Sequence, residues 1–154
     1  MRYYATLLVV FLMVPSALSA QAAEKDAVLA TVNKLFDGMR TRNAPLLLSA
    51  FDESARLVRV GERNGVPAVT LLPLDRFADA VVGAKPGEVW DERLSDPEVR
   101  IDGNLAQVWS DYTFHLSGTL HHCGIDAFML LKVGDTWKIT QIADTERKDC
   151  APGK

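Results

Sequence analysis

Leu105–Thr145 reads LAQVWSDYTFHLSGTLHHCGIDAFMLLKVGDTWKITQIADT, and this stretch decides the fold class. It holds three long runs with the period of two expected of strands, in which neighbouring side chains face opposite ways. They are Leu105–Leu116, His122–Val133 and Trp137–Thr145, separated by turns at Ser117-Gly118-Thr119 and Gly134-Asp135. Upstream, Asp102-Gly103-Asn104 is a hairpin turn. Before it, Val89–Leu94 predicts a strand that bulges or kinks at Ser95-Asp96-Pro97 and resumes at Val99–Ile101. The four strands form an antiparallel meander.

Further upstream the period changes. Val28, Val32, Leu35, Phe36 and Met39 make one apolar stripe on a helix over Glu24–Arg42. Asn43 can cap a short second helix with Pro45 in its first turn, where a missing N–H costs nothing. Arg56–Val60 alternates like a strand, Gly61–Pro67 is rich in turn formers, and Val69–Leu72 is a candidate returning strand. Leu74, Phe77, Ala78 and Val81 predict a helix over Pro73–Val82, with Gly83 as its stop. Helices followed by a run of strands mean α+β, with the helices on one face of the sheet. Strands of this length twist and coil. The expected form is therefore a cone-shaped roll, a curved and mostly antiparallel sheet wrapped around the N-terminal helices.

The chain has 154 residues, with 17 Lys and Arg against 20 Asp and Glu, a net charge of −3 and no basic cluster, which excludes a nucleic-acid footprint. Met1–Ala22 has the form of a secretory leader. Arg2 precedes an apolar run over Ala5–Val14, Pro15 ends it, and Ala20-Gln21-Ala22 offers small residues for cleavage after Ala22. The run is about half the roughly 20 residues that a membrane span needs. The expectation is a signal peptide at 1–22, one domain at 23–154, a periplasmic or secreted address, and no membrane segment after cleavage. Cys123 and Cys150 are then a default disulfide, because an oxidising compartment preserves such bonds, with two free thiols or a bridge between chains as the alternatives.

The strands AQVWSDYTFHL and HHCGIDAFMLL and the ending GDTWKITQIADT resemble the nuclear transport factor 2-like superfamily. The nearest likeness is to its secreted bacterial branch, described as SnoaL-like or "putative lumazine-binding". The resemblance covers essentially the whole chain after the leader. It implies a pocket between sheet and helices and frequent dimerisation through the sheet. That superfamily contains isomerases, dehydratases, cyclases and non-catalytic binding modules, so the fold leaves activity open.

A two-residue loop at Gly134-Asp135 pairs Val133 with Thr136, which sets Phe128 opposite Gln141, Leu130 opposite Ile139 and Asp126 opposite Ala143. On that register His122, Asp126, Phe128, Trp137, Ile139 and Gln141 share the face looking into the cone. Ala106, Val108, Ser110, Tyr112 and Phe114 share one face of the preceding strand. The opposite face, with Ile125, Ala127, Met129, Leu131 and Ile142, is also apolar, and a second copy of the chain is the simple cover for it.

The expected function is binding of a small apolar or aromatic ligand by Tyr112, His122, Asp126, Phe128, Trp137 and Gln141. The alternatives are an acid–base enzyme of the isomerase, dehydratase or cyclase type, and a protein-interaction module acting through its sheet. In the enzyme, Asp126 or His122 would be the base and Tyr112 the donor. Four residues apart on one strand, His122 and Asp126 lie about 13 Å from each other at ~3.3 Å per residue, too far for a direct dyad. The bland alternative ties Asp126 to backbone or to Tyr112 and leaves His122 at a solvated rim. Asp91 and Glu92 are further acids whose facing the bulge obscures. In a regular strand His121, His122 and Cys123 point alternately to opposite faces and cannot chelate one ion, so no metal is expected. No GxGxxG, HExxH or GxSxG motif and no Walker-type phosphate loop occurs, and no cofactor is expected.

Overall fold

The computed structural model describes residues 17–150. In chain order they form α1 (Ala17–Thr41), α2 (Ala44–Ser49), β1 (Phe51–Arg63), β2 (Val66–Leu72), α3 (Leu74–Val82), β3 (Trp90–Asp102), β4 (Leu105–Leu116), β5 (Thr119–Val133) and β6 (Thr136–Thr145). The expected leader lies outside the described residues as far as Ser16; Ala17–Ala22 continue α1.

The fold is α+β, a curved, open sheet with strand order β2-β1-β6-β5-β4-β3. The meander expected from the sequence is β3 to β6. The upstream hairpin is not a separate unit, however. Its first strand runs parallel to β6, from Arg56 beside Gln141 to Val60 beside Thr145, and all other neighbours are antiparallel. The sheet is therefore six-stranded and mixed.

The stripe on α1 explains how the helix seats. Val28, Val32, Leu35, Phe36 and Met39 are each at most 3% exposed, packed with Val108, Phe128, Leu130, Trp137 and Ile139 of the sheet. Phe36 meets Phe128 edge-on with ring centroids 6.2 Å apart. Burying each such side chain contributes roughly 1.5–3 kcal/mol. Asn43 caps α2 by accepting the Leu46 N–H at 3.0 Å, with Pro45 in the first turn as expected. Gly38 lets α2 approach α1, since a Cβ there would lie 2.6 Å from the Leu47 backbone. At the other end of α1, Glu24 accepts bonds from Lys132 Nζ (2.6 Å) and Trp137 Nε1 (3.1 Å). Residue 24 lies beyond the expected cleavage point, so a chain cut after Ala22 keeps this anchor.

Three β-bulges set which side chains face the helices. In β3 the register shifts between Ser95 and Glu98, at the Ser95-Asp96-Pro97 kink. In β5 it shifts opposite Phe114 and His115, leaving His121 as the extra residue. In β6 it shifts at Thr140, between the Leu130–Ile139 and Met129–Gln141 pairs. The last overturns part of the expected register. Phe128 faces Ile142, not Gln141, and Asp126 faces Asp144, not Ala143. Ile142 consequently packs on the core, and Gln141 joins Met129 on the outer face. That outer face carries half-exposed Leu105, Trp109 and Leu131.

Cys123 and Cys150 form a disulfide with Cα atoms 5.7 Å apart. The extra residue in β6 also moves the partner of Cys123 along by one. It is Arg147, where the regular register requires Glu146, and the two residues exchange backbone bonds of 3.1 and 2.7 Å.

Candidate functional site

Between the concave face of the sheet and helices α1 and α3 lies a cavity of about 480 Å³. Its walls are mainly apolar, from Leu35 and Met39 of α1, Phe77 of α3, Leu57 and Leu72 of the hairpin, and Trp90 and Phe114 of the sheet. The polar lining is concentrated on few residues, and three of them are placed by the bulges. In β3, Val99 and Ile101 pack against the core, and one added residue at the kink switches the inward positions from odd to even numbers. Glu92 thereby points inward in place of Asp91. In β6, the extra residue at Thr140 switches the inward set from Trp137 and Ile139 to Ile142 and Asp144. In β5, the bulge brings His121 to the cavity wall beside His122, with their Nδ1 atoms 2.8 Å apart. Bulges that re-aim side chains are a common device next to binding sites.

The expectation that adjacent histidines diverge therefore fails at this bulge. Both imidazoles face the cavity, while the Cys123 sulfur is held in the disulfide. His122 is not at a solvated rim. It is 7% exposed and stacks on Phe114 at 4.8 Å, and burial lowers its pKa from the usual histidine value.

Asp126 is the most deeply set polar group of the cavity, 1% exposed. Among the described residues its Oδ2 is met by no N–H or hydroxyl group, and the Glu92 carboxyl is its hydrogen-bonding neighbour. Burial, then the charges of Glu92 and Asp144, hold the Asp126 pKa well above the carboxylate range. Burial and the charge of Asp144 push Glu92 up to about 7. Two carboxyls so placed favour sharing one proton, because ionising both would set like charges together in a desolvated site. Asp144 stays compensated: Arg59, beside it on β1, donates from Nε at 2.8 Å and also reaches Glu146 at 2.7 Å. Arg40 of α1 ties down the neighbouring backbone, reaching Asp91 Oδ1 at 3.1 Å and the Glu92 carbonyl at 3.4 Å.

Tyr112 has a different job. Its hydroxyl donates to the Thr145 carbonyl at 2.9 Å, so it is not tied to Asp126. The bond depends on Gly124, which pairs with Tyr112 across the sheet. A Cβ there would fall 1.9 Å from the Thr145 oxygen and 2.8 Å from the tyrosine ring. Burial first, and then the charge of Glu92, raise the Tyr112 pKa.

Of the ligand residues expected from the sequence, His122 and Asp126 line the cavity. Tyr112 lies behind the wall, Phe128 and Trp137 are core residues at most 2% exposed, and Gln141 is on the outer face. Glu92, Asp144 and Arg59 are not among the ligand residues that the sequence predicts. The facing of Glu92 depends on how many residues the kink adds. Asp144 requires the Thr140 bulge, and Arg59 requires the parallel β1–β6 pairing, for which no turn signal exists.

The fold is shared with solved structures at low sequence identity. A nuclear transport factor 2-like protein of unknown function from Shewanella baltica OS155 is 18% identical, with a TM-score of 0.65 over 83% of this chain and 97% of that one. A protein of unknown function from Mycobacterium tuberculosis is 14% identical, with a TM-score of 0.70 over 88% of this chain and 78% of that one. A nuclear transport factor 2-like protein with a cystatin-like fold from Novosphingobium aromaticivorans is 13% identical, with a TM-score of 0.67 over 90% and 94%. No functionally curated protein matches the sequence. Residues 23–142 match the family described as "Putative lumazine-binding". With that match spanning most of its length, and with nuclear transport factor 2-like neighbours in three dimensions, the chain belongs to this family of the nuclear transport factor 2-like superfamily.

Proposed function

We propose that the protein binds a small, largely apolar molecule in the cavity between sheet and helices. One observation carries this reading. A buried carboxyl with an unmet oxygen, Asp126, lines an apolar hollow of about 480 Å³. Ligand pockets typically span roughly 300–1,000 Å³, with apolar walls and a few convergent polar groups. A buried polar atom without a partner costs stability unless something else meets it. The family description names lumazine, a flat bicyclic heterocycle, and the walls formed by Trp90, Phe114 and Phe77 suit a flat ring system. Native mass spectrometry of protein purified from its source tests this. A retained small molecule is expected, and it should be lost when Ala80→Trp obstructs the cavity wall. Protein that carries nothing and takes up no aromatic probe overturns the reading.

A second reading is favoured by one observation, the Glu92 carboxyl pushed to about 7 beside Asp126. General acid–base groups work best when they titrate near the operating pH. In an isomerase, dehydratase or cyclase the pair would exchange the proton, with Tyr112 absent from the chemistry because its hydroxyl is engaged. Asp126→Asn separates the two readings: an enzyme loses turnover and keeps affinity, whereas a binder changes affinity alone.

Export and pairing of two copies complete the proposal. The leader pattern at Met1–Ala22 supports export, and sequencing of the mature N-terminus should begin at Ala23. The half-exposed Leu105, Trp109 and Leu131 support dimerisation through the outer sheet face, and sedimentation should show a dimer that Trp109→Lys dissociates.

A further inference from the structure

On the reading that the cavity holds a small molecule, we infer that its ligand is an organic cation, an aromatic or aliphatic body carrying one ammonium or amidinium group seated between Glu92 and Asp126. The lining contains four carboxylate-bearing residues, Glu88, Glu92, Asp126 and Asp144, against one permanent cation, Arg59. That cation is already committed to Asp144 and Glu146. Glu88 accepts from the neutral Trp90 Nε1 at 2.7 Å, which leaves Glu92 and Asp126, among the described residues, as the lining carboxyls with neither an ion-pair partner nor an N–H donor.

Three ligand charges can be compared against this floor. An anionic ligand would set a third negative group against the pair in a desolvated site, and is disfavoured by repulsion. A neutral ligand without a donor would leave Asp126 Oδ2 unmet. A cation supplies N–H donors to both carboxyls and compensates the charge that the pair keeps even while sharing one proton, and hydrogen bonds of this kind are the strong ones. Trp90, Phe114 and Phe77 add ring faces of the kind that attract ammonium groups. The low-dielectric walls concentrate the negative field of the floor at the point where the charged end would sit.

Three probes of one shape and different charge test the inference: 2-naphthylmethylamine, 2-naphthylmethanol and 2-naphthoate, titrated at neutral pH by calorimetry into the full mature chain with its disulfide intact. The amine should bind at least about tenfold more tightly than the alcohol, and the naphthoate most weakly. In Glu92→Gln and Asp126→Asn the ratio of amine to alcohol affinity should collapse toward one. Cooperative urea unfolding of each variant shows that it is folded. An amine no tighter than the alcohol, or a preference that survives in both variants, overturns the cation assignment while alcohol binding leaves the cavity a ligand site. Failure of all three probes overturns the cavity reading and this inference together.

Discussion

The carboxyl pair makes folding stability depend on pH in a window where few other groups titrate, and Glu92→Gln isolates the effect. Glu92 titrates at about 7 in the folded protein against 4.5 as the ordinary value. An acid whose folded pKa is raised binds its proton more tightly when folded, so stability falls as pH rises from the unfolded value through the folded one, then levels off. The difference corresponds to about 3 kcal/mol of stability lost between pH 4.5 and pH 8. Asp126 acts in the same sense. His122 opposes it, because a lowered histidine pKa makes stability rise with pH as the unfolded imidazole loses its proton near 6.5. Glu146 and Asp91 have lowered values, and their contribution is lost only as pH falls below the usual carboxylate range. Comparing wild type with Glu92→Gln at each pH cancels His122, Glu146 and Asp91. Equilibrium urea denaturation from about pH 5 to pH 8 should show the variant gaining about 2–3 kcal/mol on wild type across that range. A gap that stays constant with pH would show that Glu92 titrates normally and that the two carboxyls do not share a proton.

Phe128→Ala removes a fully buried ring that meets Phe36 edge-on, and should cost roughly 3–5 kcal/mol in the same denaturation assay. Reducing the Cys123–Cys150 bond frees a loop closed across 27 positions and should lower stability by about 3–4 kcal/mol on the chain-entropy account, read as a fall in the urea midpoint with dithiothreitol present. Gly124→Ala drives a methyl into the Thr145 carbonyl, which backbone cannot yield cheaply. It should destabilise by at least about 1–3 kcal/mol, and hydrogen exchange should show the β5–β6 end opening first.

The legible parts of the fold are those where local chemistry and global packing agree. The α1 stripe, the Asn43 cap with Pro45, the Gly103-Asn104 and Gly134-Asp135 turns and the β4 alternation all carry their signal within a few residues. The parallel β1–β6 pair carries none, because its paired residues are 85 or more positions apart and no turn joins them. Counting pairs outward from Gly134-Asp135 is correct as far as Leu130 and Ile139, and fails one residue later at Thr140. There the Thr140 hydroxyl donates to the Met129 carbonyl at 3.1 Å, and nothing in KITQIADT marks the extra residue. One unmarked residue exchanges Gln141 and Ala143 for Ile142 and Asp144, since every side chain beyond it changes face.

That sensitivity ties the site to the bulges more closely than to the strands. Without the β3 bulge, Glu92 would face outward and the basic Arg93 would share the outward-to-inward exchange with Asp91, setting an Asp and an Arg on the cavity wall. Without the β6 bulge, Ala143 would lie opposite Asp126 and Arg59 would lose Asp144, one of its two carboxylate partners. Asp126 itself sits on the regular part of β5 and would stay inward in both cases. The acidic floor is thus assembled from one residue fixed by simple alternation and two delivered by single-residue insertions. A related chain can keep the entire sheet, core and cavity and lose the Glu92–Asp126 pair by deleting one residue near Pro97. The presence of the bulge, and not overall resemblance, is therefore the feature on which transfer of the carboxyl-pair reading between relatives must rest.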